Sequence, residues 1–547
     1  MKTRKSLAAL LACIMLMSIF AGCNANGESQ SGTPSEESGQ VSGVSFNEAD
    51  FPITDEPTTL TAVMLSQSPN WEYNSDMYIF KKMEELTNVK LEITNIPGEQ
   101  WWEQLQLMFA SNELPDILFV GVGAFINASD VITYANAGQL LPLNDLLEKY
   151  APTYTALTDQ YPEKAKLYTP DGNMYGMTAL IYPVDGNARP FINQQWAGDL
   201  GYEMPETYED FVELLKAFRD SDPSGQGTIP LSGSAGGNEV DPFVAGPLGM
   251  TYGWSNKDTW QVVDGKIVHV TQHPMYEQYL KNMNELYSEK LLDQEYYTQS
   301  QSELLAKGAA MRVGAYVHSA HFLFTNSQDP AVYDQYRMPV PFTSEYFDEI
   351  ACYQDAINPA GIFITSACEN PEIAVRYLDY FFTDEAAEWM YGPEDQGDGK
   401  GGIEWTEDRT VFKINTDEDS DGAYDYTNRY IAPTNVIIGN YYYSDFSKKL
   451  EMALGDQSLT YNQQTYRVPY VKPAAPTLYL SAAEIEQTAM IADAVNTYYA
   501  QMESKIVMGE EPLESYADMI SHLESLGLND LVEAYNTAYD RYKSNMN

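Results

Sequence analysis

Apolar and polar positions alternate in short, regular blocks along the first quarter of the chain. Residues 59–66 (TLTAVMLS) form a nearly continuous apolar run of strand length, and 89–96 alternates with a period of two. Between them, 77–87 carries Ile79, Met83 and Leu86 at helical spacing. A second helix pattern covers 100–111, with Leu105, Met108 and Phe109 on one stripe, and 112–116 (NELPD) ends it. Residues 117–122 then read as a third strand. This order predicts right-handed crossovers and a parallel sheet with helices on both sides. Ligands of such sheets sit beyond the carboxyl ends of the strands, which points to loops 67–76 and 121–129.

The pattern changes at 171–196 (DGNMYGMTALIYPVDGNARPFINQQW), which opens on an Asp-Gly turn. Two extended segments, 174–183 and 188–193, are rich in β-branched and aromatic residues and lead into an amphipathic helix pattern. An extended run set between helix-rich blocks suits a crossing between two lobes, and a cleft between lobes is a favoured ligand site. Beyond it, Thr207 is expected to cap a helix over 209–218. A Gly-rich loop covers 225–237, and Asp264-Gly265 is a hairpin turn signal between 262–263 and 266–271. Helix 275–290, strand 310–317, strand 361–366 and helix 370–383, with Pro371 in its first turn, follow. The last third is helical, with the longest patterns at 482–508 and 516–542, and no internal repeat is present.

The length of 547 residues favours at least two lobes over one core. With 31 Lys+Arg against 79 Asp+Glu the net charge is −48, a field that disfavours nucleic acid and anionic headgroups. The first residues, MKTRK, are basic; 6–20 is a short apolar run; Ala21 and Gly22 precede Cys23. That run is too short to span a membrane and reads as a secretory leader. Phe-Ala-Gly-Cys resembles a bacterial lipobox, with Phe where Leu is usual, so Cys23 is expected to be lipidated. Residues 24–43, polar and rich in Ser, Gly and Glu, read as a flexible tether. The expected product is an exported protein anchored by acyl chains to the outer face of the membrane. Of the remaining cysteines, Cys352 and Cys368 either pair as a disulfide or stay as buried thiols.

Several pieces taken together resemble one family. They are 107–117 (LMFASNELPDI), 138–143 with 150–152 (GQLLPL and YAP), 171–176 (DGNMYG), 192–207 (INQQWAGDLGYEMPET), 265–293, 370–384 (NPEIAVRYLDYFFTD) and 506–542. In their order and spacing they resemble the family-one extracellular solute-binding lipoproteins of Gram-positive carbohydrate ABC importers, in the branch of the alginate-binding proteins. The resemblance implies an α/β, two-lobe periplasmic-binding-protein-like fold with a hinge and a helical C-terminal region. The expected division is 1–22 leader, 23–50 tether, 51–184 with 352–410 as lobe 1, and 185–351 with 411–547 as lobe 2. It also implies a monomer without catalysis, which closes on a sugar or oligosaccharide and passes it to a membrane permease.

A sugar site needs aromatic faces for the ring and polar groups for the hydroxyls. Trp71 lies in the loop after the first strand with no helical stripe to absorb it, and Phe125 follows the third. Tyr175, Asn187, Arg189 and Asn193 flank the crossing; Arg189 is either a donor to the ligand or a partner in a surface ion pair. Trp254, Tyr316, His318 and Trp405 are the further candidates. Of Trp101 and Trp102, one is expected inside; Trp196 and Trp260 are expected to be structural. His318 and His321 have no third ligand in view for zinc. Few cations near these positions lean toward a neutral sugar.

Calcium stays open. The alginate-binding relatives carry an EF-hand-like loop, but the matching stretch here, Asp220 to Pro230, lacks the final acidic pair. A second stretch with Asp417, Asp419, Asp421 and Asp425 has Asn428 where the bidentate Glu belongs. The rival functions are a secreted carbohydrate-active enzyme, since acidic residues are plentiful enough for a catalytic pair, and the same fold binding a peptide.

Overall fold

The computed structural model describes residues 45–547 apart from 67, 69, 121–125, 181–188, 254, 320, 328, 354–356, 391, 393–402, 406–411, 415–426, 435–467, 474 and 547. Two sheets organise it. The first contains β1 (Thr58–Ser66), β2 (Val89–Pro97), β3 (Ile117–Phe119) and β4 (Gly176–Leu180), and the second begins with β5 (Arg189–Asn193) and β6 (Ile229–Leu231). A hairpin follows in β7 (Trp260–Val263) and β8 (Lys266–His269), then β9 (Val313–His318) and β10 (Tyr336–Arg337). After β11 (Cys352–Tyr353), the chain returns to the first sheet as β12 (Ile357–Ile364). Short pairs complete the strands: β13 (Ile403–Trp405) with β14 (Phe412–Ile414), and β15 (Val471–Lys472) with β11.

The first sheet has the order β2-β1-β3-β12-β4. β1 is parallel to β2 from Thr58↔Val89 to Ser66↔Pro97 and parallel to β3 on its other side, as the alternating strand–helix order predicts. Both faces of β1 are buried. Leu60, Ala62 and Met64 join one core with Ile79, Phe80 and Met83, while Val63 and Leu65 join another with Trp101, Leu105 and Phe109. The two helices that cover these faces, Tyr78–Thr87 and Trp101–Ser111, each end on an Asn in the left-handed conformation (Asn88 φ 59°, Asn112 φ 58°), a usual stop for a helix. β12 is antiparallel to both β3 and β4, so β3 and β4 run the same way. β4 packs closely here: a Cβ on Gly176 would lie 2.8 Å from that of Ala360.

The second sheet has the order β10-β5-β9-β6. Ile192, Ala315 and Val317 face a core with Phe211, Leu215 and Phe218; Phe191 and Tyr316 face a smaller one with Phe324 and Tyr336. Thr207 caps the Tyr208–Ser221 helix by accepting from the Asp210 amide, and Asp264 (φ 50°) and Gly265 (φ 74°) turn the hairpin. The Ala482–Met508 helix starts on a Ser481–Glu484 capping box and packs on the Tyr276–Ser288 helix. The single pattern expected over 516–542 is two helices, Ser515–Ser525 and Leu528–Asn545. Gly527 breaks it at φ 102°, a conformation open to glycine, where a Cβ would meet Ile491 at 3.1 Å. Among the described residues no helix is long and apolar enough to cross a membrane.

Candidate functional site

The crossing proposed from sequence is present: β4 lies in the first sheet, β5 in the second, and 181–188 separate them. The return from β10, the last strand of the second sheet, to β12 runs through 338–356 and passes β11 on the way. Eight intervening residues limit the gap between β4 and β5 to roughly 30 Å even when fully extended. β4 ends at Leu180 toward the carboxyl end of β3, and β5 begins at Arg189 opposite His318, the last residue of β9. The crossing therefore links the carboxyl-end rims of both sheets, the side where ligands of α/β sheets bind.

On the first rim, two side-chain clasps shape the loop after β1. The Ser66 hydroxyl bonds to the Ser68 carbonyl (2.8 Å) and the Trp71 carbonyl (2.7 Å). Asn95 accepts from the Tyr73 amide (3.2 Å) and donates to the Tyr73 carbonyl (2.6 Å). Trp71 is held between these clasps, half-buried against the first core. Trp101 is buried and Trp102 exposed, so the pair divides as expected.

On the second rim, Arg189 donates to the Ser319 carbonyl, and the His318 ring lies 3.3 Å from the Ser319 hydroxyl. Neighbouring His321 is fully buried, and burial, reinforced by the charges of Arg189 and Arg337, pushes it down to about 3, so its ring is neutral. Residues just after the Gly-rich 225–237 loop, none of them a candidate from sequence, complete this rim. Asn238 donates to the Val317 carbonyl (3.1 Å), the Glu239 carboxylate accepts from the Gly236 amide (2.9 Å), and Ser255 accepts from the Glu239 amide (3.0 Å). Burial, with Asp241 nearby, raises Glu239 to about 7. Asp241 itself is fully buried, bonded to the Tyr279 hydroxyl (2.7 Å) and to the Lys257 amide (2.7 Å). The Lys257 ammonium reaches Glu503 at 2.9 Å; burial opposes its charge, but Asp241 and Glu503 outweigh burial and hold it protonated. No spacing in the sequence joins Asp241, Lys257 and Glu503, so this network had no local signal.

Three sequence candidates are spent on the fold instead. Tyr175 lies before β4, at the amino end of the sheet and away from the rim, where its hydroxyl donates to Asp171 (2.7 Å). Burial would raise Asp171, but bonds from Thr169, Tyr175 and Asn173 outweigh it and hold it near 2. Asn193 is fully buried and caps the Gln194–Asp199 helix through the Trp196 amide (3.0 Å). Tyr316 is fully buried with its ring stacked 3.5 Å from Phe324 and 5.3 Å from Phe191. Trp196 and Trp260 are structural; Trp260 stacks on Tyr535 at 3.7 Å. Trp405 ends β13 opposite Phe412. Phe125, Asn187, Trp254, Cys23 and the stretch with Asp417, Asp419, Asp421 and Asp425 lie outside the described residues.

No three His, Cys, Asp or Glu gather as metal ligands among the described residues. The Asp220–Pro230 stretch is closed on itself: the Asp222 carboxylate accepts from the Thr228 amide (2.7 Å) and hydroxyl (2.8 Å), the Gly227 amide (3.1 Å) and the Ser224 hydroxyl (3.0 Å). Those bonds, led by Thr228, hold Asp222 near 2. Cys352 and Cys368 form no disulfide; both are buried, Cys352 in β11 and Cys368 in the first core, where burial raises its thiol to about 12.

A fold of two α/β sheets joined by crossing strands, with hinge and helical C-terminal region, is that of a binding protein that holds a solute between lobes. The family model for bacterial extracellular solute-binding proteins matches residues 70–388, and the chain belongs to that family. It is 25% identical over 533 residues to the fructooligosaccharide ABC transporter substrate-binding protein FusA of Streptococcus pneumoniae serotype 4, covering 91% of this chain and 93% of that one. Over 238 residues, 42% of this chain and 45% of the other, it is 28% identical to the polygalacturonan/rhamnogalacturonan-binding protein YtcQ of Bacillus subtilis. Among solved structures, FusA in complex with kestose superposes with a TM-score of 0.69 at 22% identity, covering 89% of this chain and all of that one. The alginate-binding protein AlgQ2 without calcium ion gives 0.68 at 20% identity, over 90% of this chain and all of that one.

Proposed function

We propose that this protein is the substrate-binding subunit of an ABC importer, capturing a neutral oligosaccharide between its two rims and delivering it to a permease. The observation that carries the reading is the union of both rims by the crossing, with an aromatic face (Trp71) on one and polar groups (Arg189, His318, Glu239) on the other. The relatives' named ligands, fructooligosaccharide, kestose and polygalacturonan/rhamnogalacturonan, support a carbohydrate cargo. In this reading 51–184 with 352–410 form one lobe and 185–351 with 411–547 the other. Cys23 carries the lipid that holds the protein, as a monomer, at the outer face of the membrane. No cofactor is needed, and the self-satisfied Asp222 loop is consistent with binding that is independent of calcium at that loop.

The test is a thermal-shift screen of residues 44–547 against kestose, other neutral oligosaccharides, uronides and peptides, with and without calcium. A sugar at about 100 times its dissociation constant adds about 2.7 kcal/mol, a readable rise in melting temperature. Trp71→Ala should weaken that sugar at least tenfold while the free variant still unfolds in one cooperative transition, and chromatography should find no product. A response to peptides alone would overturn the cargo, and product formation would return the protein to the enzymes.

A further inference from the structure

The described residues enclose a groove of about 410 Å³ that lies away from the two rims, between residues 165–172 and the last helix, Leu528–Asn545. Its two walls belong to different sheets. Ala165 and Leu167 are buried, Leu167 in the first core, and the segment continues through Thr169 into β4. The helix is clamped to β8 by Asn536, which donates to the Ile267 carbonyl (2.7 Å) and accepts from its amide (3.0 Å), and by Tyr535 stacked on Trp260. Because 168–175 lead into the amino end of β4, the groove sits at the opposite end of that strand from the crossing and the rims.

The lining suits a small uncharged ring. The rings of Tyr168, Tyr479 and Tyr542 line it, and the Thr169, Thr537 and Ser544 hydroxyls, which donate to Asn173, Glu533 and Asp540 oxygens, are left as acceptors for a sugar hydroxyl. The lining charges are largely matched: Arg541 is held by Glu484 at 2.6 and 2.8 Å, and Asp540 by Lys543 at 2.8 Å. The volume falls within the range of small-molecule pockets, and such sites favour boundaries between lobes.

We propose that this groove is a second ligand site, for a single neutral sugar unit, whose occupant favours closure of the cleft. The inference rests on the two-lobe binding reading above. A rotation about the crossing strands that brings the rims together draws the groove walls apart, because the two lie on opposite sides of the pivot. An occupant that fits the wider groove binds the closed form better, and its linkage to cargo is reciprocal.

Thr537 and Ser544 are exposed and lie two turns apart on one face of the helix, so an indole at either enters the groove without touching the core. Titration calorimetry with glucose and with fructose should detect a site in the wild type that is lost in both Ser544→Trp and Thr537→Trp. X-ray scattering without cargo should show a smaller radius of gyration for both variants than for the wild type, and affinity for the sugar found in the screen should rise at least tenfold. Scattering identical to wild type in both overturns the coupling, even if no cargo has been identified. Absence of monosaccharide binding, or binding that survives in both variants, overturns the site.

Discussion

The two sheets stabilise their ligand-side rims by different means. At the first, neutral clasps do the work: a serine hydroxyl and an asparagine amide hold the Trp71 loop to the ends of β1 and β2. Behind the second lies buried charge, with Lys257 between Asp241 and Glu503 and Glu239 beside them, while His269 ends β8, His273 follows it half-buried, and His321 is buried just after β9. All five histidines of the chain fall between 269 and 522, in segments that pack with the second sheet. A neutral bond adds about 1 kcal/mol and tolerates substitution, whereas a buried charge is stable only while its partner remains. Sensitivity to mutation and to pH should therefore concentrate in one half of the molecule.

The largest expected break is Lys257→Met, which leaves Asp241 and Glu503 buried without their cation and should cost about 3–5 kcal/mol in urea unfolding. If the cost is below that of a single clasp mutant such as Asn95→Ala, the contrast between the rims fails.

Acid should separate the halves next. Burial pushes His269 and His273 down to about 4 and His321 to about 3, against an ordinary value of 6.5. The unfolded chain takes up protons from about pH 6.5 downward that the folded chain refuses, so stability is full above 6.5 and is lost as pH falls through 4 to 3. Glu239 has the opposite sign: raised to about 7 from 4.5, it contributes stability below 4.5 that is lost as pH rises through 7. In the first half, Asp171 near 2 contributes stability above 3.8 that is lost only as pH falls through 2. Hydrogen exchange at pH 4.5 should find amides of the second sheet less protected than at pH 7 and those of β1 and β2 unchanged. His269→Gln should shrink the loss, and Glu239→Gln should raise stability at pH 8 relative to pH 5.

Asp222→Asn should lower the melting temperature by weakening the acceptor for Thr228, and added calcium should not restore it. Restoration by calcium would mean that the loop takes the ion despite its internal bonds. The smallest effect is expected from Tyr316→Phe. The hydroxyl is buried with no hydrogen-bond partner among the described residues, so its removal should be neutral or slightly stabilising and leave sugar affinity unchanged. A tenfold loss of affinity would return Tyr316 to the site.

The first sheet was largely legible in the sequence because its order is written in local periodicity. Strand and helix runs alternate, and the Asn stops and Pro-containing turn fall where the elements end. The crossing was legible for the same reason, as an extended run between helical blocks. The site was less so. Trp71 could be placed because a loop tryptophan has no helix face to bury it, yet Tyr175, Asn193 and Tyr316 read identically as ligand groups and as fold groups. Their direction depends on strand register: Phe191 opposite Tyr316 puts that tyrosine into the small core, and the end of β5 puts Asn193 at a helix start.

The sequence by itself determined the alternating order of elements, the family, the acidic charge and the crossing, because each is carried by patterns a few residues to a few tens of residues long. Only the tertiary structure decided which polar groups face the rims, that Asp241, Lys257 and Glu503 share one buried site, that Gly527 splits the last helical pattern, and that the last helix closes a groove with residues 165–172. Those contacts join positions up to several hundred residues apart. Their partners are selected by packing and by the need to neutralise buried charge, neither of which leaves a periodic trace in the chain.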